Sequence, residues 1–255
     1  VAGFSRYHDL LRLFTEAEPS WTVPAMSEAL HIPASTIYRT VRELTVASFL
    51  EPSIAGSYRL GAAFIEYDRL LRMTDPLMRA GTPVLAEIVA QAGLPCVSLL
   101  ARLYNGEVMC IADRTGPNTL FRSSYERGRP MPLTRGATSK AILASLPARM
   151  LGKLVGPRDK SSALRDELIE IRRAGYCFAS SEIDSGLAGI AAPVALPERG
   201  IFASISLVVN NAELDDARRR RLSLLTVSAA SLLSESMTTM AMRGHDDADT
   251  VAGAA

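Results

Sequence analysis

Five side chains packed between residues 35 and 42, Ser35, Thr36, Tyr38, Arg39 and Arg42, are the hydroxyl and guanidinium donors that bind phosphate oxygens and base edges. Between them Ile37, Val41 and Leu44 recur at i, i+4, i+7, the spacing of one buried stripe on a helix, which leaves the donors outside it. A helix with that outer face can enter a major groove, and Arg39 is the residue best suited to a bidentate bond with guanine. The elements around it are those such a helix needs. Pro33 opens it where a missing amide donor costs nothing. A first helix over residues 22–30 offers Met26, Ala29 and Leu30 for packing, and only His31-Ile32 separates the two, as in a helix-turn-helix. Phe49-Leu50-Glu51-Pro52 and Gly56-Ser57-Tyr58-Arg59-Leu60 then read as two short strands around Ile54-Ala55, a wing whose Arg59 could steady it on the DNA backbone. A helix over residues 7–17, apolar at Leu10, Leu11, Leu13 and Phe14, completes a three-helix core.

Charge argues the other way. Residues 1–60 hold five arginines, no lysine and six acids, a net charge of −1, whereas a DNA-binding domain is usually basic. The positive charge is instead concentrated, with Arg39 and Arg42 against Glu43 alone in residues 33–47. The helix pattern and the wing, not the charge, therefore carry the DNA reading. The 255 residues are 48% apolar and 22% charged, an ordered globular composition with room for two domains, and the overall charge of +1 specifies no partner. No run approaches a membrane span, and Val1-Ala2-Gly3-Phe4 lacks a signal-peptide layout. A first residue other than Met leads us to expect that native N-terminal residues are missing. Cys96, Cys110 and Cys177 form no C-x-x-C pair, so no disulfide framework or thiolate zinc site is expected, and a reducing cytoplasm is the expected compartment. No Walker or G-x-G-x-x-G sequence occurs, and no cofactor is expected.

Residues 62–93 read as a helical linker, with Phe64, Tyr67, Leu70, Leu71 and Met73 before Asp75-Pro76 and Pro83, Leu85, Ile88 and Val89 after it. Beyond Leu94 the pattern changes to strands. Residues 96–101 and 107–112 flank Asn105-Gly106, a strong hairpin signal, and residues 119–125, 188–195 and 201–209 read as three further strands. Helices are expected over 138–146, 147–155, 162–174 and 214–240. The fold class is thus α+β with an antiparallel sheet. Expected boundaries are a winged helix-turn-helix domain over 1–61, a linker over 62–93, a second domain over 94–242, and a small acidic tail over 243–255 that reads as disordered.

The segment Ile37-Tyr38-Arg39-Thr40-Val41-Arg42-Glu43-Leu44, followed by Tyr58-Arg59-Leu60-Gly61, resembles the N-terminal domain of the isocitrate-lyase-regulator (IclR) family of bacterial transcription factors. Gly128-Arg129-Pro130-Met131-Pro132-Leu133-Thr134-Arg135-Gly136-Ala137-Thr138-Ser139-Lys140 and the stretch from Arg173-Ala174-Gly175-Tyr176 to Gly186-Leu187-Ala188-Gly189-Ile190-Ala191-Ala192-Pro193-Val194 are similar to that family's sensor domain. The likeness runs in order from about residue 4 to 240. It implies a winged helix-turn-helix, a linker helix and a GAF-like effector domain, acting as a homodimer or homotetramer on promoter DNA, with repression favoured over activation and release governed by a small organic acid or aromatic metabolite. Carried over by position, the resemblance places effector contacts at Ala137, Thr138, Ala179, Gly189 and Ser206. In relatives that sense small keto acids the positions of Ala179 and Gly189 are polar, so a larger or less polar effector is expected here, with Met109, Phe121 and Met131 as walls or as ordinary core. The residues add physics of their own: Gly136-Ala137-Thr138 enters a helix whose first amides could hold a carboxylate. An enzyme using Cys177 or Ser181 is the rival class, disfavoured because none of the three histidines, His8, His31 and His245, falls in the proposed sensor sequence. A protein-interaction adaptor is a third.

Overall fold

The computed structural model describes residues 2–155 and 162–252, which fall into two compact units divided at Asp75 and Pro76. In the first unit, helix α1 (Ala2–Leu11) is followed by strand β1 (Ser20–Thr22), α2 (Val23–Leu30), α3 (Ala34–Val46), β2 (Leu50–Pro52), β3 (Ser57–Leu60) and α4 (Ala63–Thr74). Leu10, Val23, Met26, Ile37, Val41, Leu44 and Leu50 form its core. Thr22 caps α2 by accepting from the Ala25 amide, while His31 in the left-handed conformation ends it and allows the sharp turn. Pro33 is the residue before α3, where its carbonyl accepts the first helical bonds. Strands β2 and β3 make the expected hairpin. Strand β1, which the sequence pattern does not announce, adds to β3 in the order β1-β3-β2. Helix α1 begins and ends earlier than the apolar spacing suggests, at Leu11, because Leu13 and Phe14 turn back to pack on the core as a loop.

The hairpin and α4 are joined at close quarters. The Gly61 amide bonds to the Phe49 carbonyl and that of Ala63 to the Ser48 carbonyl, and the Phe49 ring stacks on Tyr67 and meets Phe64 edge-on. The expected single linker is therefore two helices. Helix α4 is docked on the first unit through Phe49, and α5 (Pro76–Ala92) is a core element of the second, burying Leu77, Leu85, Ile88 and Ala92.

The second unit is built on a six-stranded antiparallel sheet in the order β6-β5-β4-β9-β8-β7. Its strands are β4 (Cys96–Tyr104), β5 (Glu107–Thr115), β6 (Pro130–Met131), β7 (Cys177–Ser180), β8 (Leu187–Leu196) and β9 (Ile201–Asn210). One face packs on α5 and the last helix, α9 (Asp216–Ala252). The other packs on α6 (Ala137–Ser145), α7 (Ala148–Leu154) and α8 (Ser162–Ala174). Two expectations are corrected, and two short strands, β6 and β7, are added to the expected set. Residues 119–125 form no strand: the Ser124 amide bonds to the Asp184 carboxylate and the Tyr125 hydroxyl reaches Ser139, so this segment is held by side chains rather than by a ladder. Helix α9 continues to Ala252, across most of the expected disordered tail, whose last three residues lie outside the described residues.

A Cβ at Gly61 would lie 2.3 Å from the Ser48 carbonyl oxygen, a contact with backbone that no side-chain rotation relieves. Gly61→Ala is expected to destabilise the first unit by about 1–3 kcal/mol; a chemical-denaturation midpoint equal to that of the wild type would contradict the packing at this join.

Candidate functional site

Helix α3 sorts its side chains cleanly. Ile37, Thr40, Val41 and Leu44 are buried, while Ser35, Tyr38, Arg39 and Arg42 are exposed and Thr36 is half-buried. Tyr38 is 59% exposed, so its ring and hydroxyl stand on the same open side as the arginines. Thr40 turns inward because its hydroxyl bonds to the Thr36 carbonyl, so a polar residue joins the buried stripe without an unpaired group. Glu43, the acid beside these arginines, accepts a hydrogen bond from the Tyr7 hydroxyl. Arg59 is different. Its Nε donates to Glu51 Oε1 at 2.6 Å across the hairpin, so the wing arginine is already neutralised.

In the second unit a cavity of about 30 Å³ lies between the start of α6 and strands β7 and β8. Ala137, Thr138, Ala179 and Gly189, four of the positions the resemblance singles out, line it. Ser206 is wholly buried behind it and accepts a 3.0 Å bond from the Thr138 hydroxyl. Gly189 has a packing reason of its own, since a Cβ there would approach the Ala137 Cβ at 3.2 Å. Phe121 lines a neighbouring cleft of about 350 Å³ that shares Ser123 and Tyr125 with the cavity. Met131 is buried in the core on this face of the sheet but does not line the cavity. Met109 alternates with Val108 and Cys110, which belong to that core, so it points to the opposite face. Space of this size holds a water molecule or two, not an aromatic ring.

The polar wall of the cavity is what the sequence reading missed. Glu182 lines it and accepts a 2.9 Å bond from the Gly136 amide at the start of α6, and Asp184, also in the wall, accepts from the Ser124 amide and hydroxyl. The first of the amides expected to hold an effector carboxylate thus already holds one from the chain itself. Lys140, buried on α6, bridges Glu182 at 2.7 Å and Glu167 of α8 at 2.6 Å. Burial works against its charge, but the two carboxylates outweigh that and raise its pKa. Burial would likewise raise the Glu182 carboxyl, yet the bonds from Lys140 and the Gly136 amide lower it below the ordinary carboxylate range. Gly136 is required where it stands: its φ is +81°, and a Cβ would meet Ile183 at 2.8 Å and the Tyr125 hydroxyl at 2.9 Å. The signal that could have found Glu182 was its place inside the Gly175 to Gly186 stretch; its partner lies 46 residues away.

The residues of the rival enzyme reading are not activated. Burial pushes the Cys177 thiol up to about 12, which leaves no thiolate at neutral pH. The Ser181 hydroxyl accepts from the Gly186 amide and the Asn211 side chain, with no histidine among its described partners. Among the described residues no cluster of acids, histidines or cysteines could hold a metal ion, and no helix is long and apolar enough to cross a membrane.

A helix-turn-helix with a hairpin wing and an outward, arginine-bearing second helix defines a DNA-binding protein. The family model for the IclR helix-turn-helix domain matches residues 5–53, and that for the C-terminal domain of IclR bacterial transcriptional regulators matches residues 73–235. The chain belongs to the IclR family and is a DNA-binding transcriptional regulator. It is 27% identical to the HTH-type transcriptional regulator KipR of Bacillus subtilis over 219 residues, 82% of this chain and 86% of KipR. Among solved structures it resembles an IclR regulator from a Silicibacter species, with a TM-score of 0.78 at 20% identity over 92% of this chain and 95% of that one. An IclR homologue from Microbacterium hydrocarbonoxydans complexed with 4-hydroxybenzoate gives 0.74 at 21% identity, covering 92% and 99%. At these identities the structural likeness shows the fold.

Because the folded Glu182 carboxyl releases its proton more readily than the unfolded one, its contribution to stability is present above about pH 4.5 and lost as pH falls through the folded value. Glu182→Gln is expected to lower the stability of the chain at pH 7 and to lose that deficit progressively below pH 4.5. Denaturation midpoints of the two proteins that stay parallel from pH 7 to pH 3 would reject the pairing.

Proposed function

We propose that the chain binds an operator through Ser35, Thr36, Tyr38, Arg39 and Arg42 of α3, as a repressor whose hold on DNA is set by a small organic effector in the cavity at the start of α6. The observation that carries the DNA half is the division of α3: three aliphatic side chains inward, and two arginines outward without a carboxylate partner among the described residues. Arg39 is assigned to guanine, Arg42 to the backbone. Arg59 is a backbone contact only to the extent that phosphate displaces Glu51. The effector half is supported by the cavity and by the relative bound to 4-hydroxybenzoate. An acid-like effector would compete with Glu182 for the Gly136 amide, and anything as large as an aromatic ring would also need the Ser123-Tyr125 segment to move, joining the cavity to the cleft beside Phe121. Effector binding is then expressed through the helices spanning 62–93. A second copy of the chain is the proposed cover for α4, whose Ile65, Leu71 and Met73 are each more than half exposed; two copies bring two α3 helices to one operator.

Duplexes enriched from a random pool by the full chain supply the operator for the test. Arg39→Ala is expected to weaken binding to it by about 1–3 kcal/mol and to relax one base position in each half-site, with two or four chains per duplex in the shifted complex. Wild-type affinity in that variant would remove the assignment. In a thermal-shift screen of organic acids and aromatics beginning with 4-hydroxybenzoate, a stabilising compound is expected also to change operator affinity. A compound that stabilises the chain, loses that effect when Gly189 is enlarged to Leu, and leaves DNA binding untouched would reject the coupling.

A further inference from the structure

The tip of the wing is uncharged and carries one large apolar side chain, and the DNA reading proposed above leaves it without a task. Ile54 stands there 85% exposed, among the most exposed large apolar side chains of the first unit. The tip around it is tightly made. The Ser53 amide bonds to the Ser57 carbonyl at 2.8 Å, and the Ser57 hydroxyl bonds back to the Ile54 carbonyl at 2.7 Å. Ala55 and Gly56 follow in the left-handed conformation, at φ +53° and +70°, a pair that suits the twist of a two-stranded hairpin. Asn or Asp would occupy the first of these positions more comfortably and would make the tip polar. The chain instead carries Ile54-Ala55-Gly56, and accepts the strain at Ala55.

Charge supplies the second argument. Residues 50–60 contain one cation, Arg59, and it is tied to Glu51. The wing's one cation is therefore shared with a carboxylate that a phosphate would have to displace. Residues 33–60 hold three cations, Arg39, Arg42 and Arg59, so few phosphates are neutralised per chain and contacts other than charge have a larger share of the affinity. Strand β2 follows α3 after three residues and packs on it, so the hairpin is fixed to the helix assigned to the major groove. From such a base, an apolar tip can meet the minor-groove side of the flanking sequence, where Ile and similar side chains press against sugars and base edges and open the groove.

We propose that Ile54 is a specificity-determining DNA contact, an apolar wedge placed in the minor groove beside the site read by α3. It rests on the DNA reading, and it assigns to the wing a contact with base-pair composition where a backbone contact through Arg59 was expected. Minor-groove readout distinguishes A·T from G·C pairs but not their orientation, so the preference contributed by Ile54 is one of flank composition.

The test uses the operator enriched from random duplexes by the full chain, with the flanking pairs then randomised. Because Ile54 is outside the core, Ile54→Ala is expected to unfold at the wild-type temperature, to bind the operator about five- to twentyfold more weakly, and to lose the flank preference while keeping the preferences of the central positions that Arg39→Ala relaxes. Ile54→Lys restores affinity at low salt through phosphate attraction, steepens the salt dependence by about one ion per wing, and does not restore the flank preference. Wild-type affinity and flank preference in Ile54→Ala overturn the proposal while leaving the DNA reading standing. A wild-type chain that enriches no duplex overturns both.

Discussion

Everything proposed for the first unit depends on the rotational setting of one helix. Helix α3 is amphipathic in a narrow sense: Ile37, Val41 and Leu44 hold it against Leu10, Val23 and Met26, and that contact fixes which way Tyr38, Arg39 and Arg42 face. A shift of one residue in that packing would turn the arginines by about 100°. The buried stripe is therefore the positioning device, and the inward hydroxyl of Thr40, satisfied within the helix, lets the stripe include a polar residue at no cost in unpaired groups. The same unit explains how a domain of net negative charge binds DNA. Two of its acids have internal partners, Glu43 with Tyr7 and Glu51 with Arg59, and the exposed Arg39 and Arg42 of α3 have no carboxylate partner among the described residues.

The second unit is organised around a different join. Gly136 turns the chain into α6, and Glu182 arrives from the loop after β7 to accept its amide while pairing with Lys140 one turn further along the helix. This carboxylate closes the helix end, binds the loop to the helix and narrows the cavity between them. A ligand at that place, as proposed, would not enter an open, waiting pocket. It would exchange with a bond the protein already makes, so its net affinity would be a difference between two interactions, and its binding would loosen a contact that reaches α8 through Glu167. That exchange would be a physical route by which occupancy alters the surrounding structure.

Much of this was legible in the sequence. The helix-turn-helix, the wing, the hairpin at Asn105-Gly106, strands β8 and β9 and the helices α6 to α8 followed from periodicity and turn chemistry, because each is set by local pattern. What escaped depended on distant partners. Strand β1 is three residues long and exists only because β3 lies beside it. Residues 119–125 carry strand-like composition, yet Asp184 and Ser139 claim their polar groups. The alternation of Met109 with its neighbours was visible, but which face met α6 was not. Ala137, Thr138, Ala179 and Gly189 gather at one cavity, whereas the charged half of its wall, Glu182 and Asp184, is held by Gly136 and Ser124, 46 and 60 residues away, which no local pattern reveals. Residues 62–93 read as helix over most of their length, and two helices form there, but periodicity carries no sign that α4 belongs to one unit and α5 to the other.

The central claim is that α3 presents Arg39 to guanine in a major groove, and guanine-methylation interference on the enriched operator tests it most directly, since a methyl group on guanine N7 blocks that bond without altering the backbone. The account predicts that methylation of one guanine per half-site abolishes binding of the wild-type chain and makes no further difference to Arg39→Ala. Binding that is indifferent to guanine N7 methylation at every position of the site would contradict it.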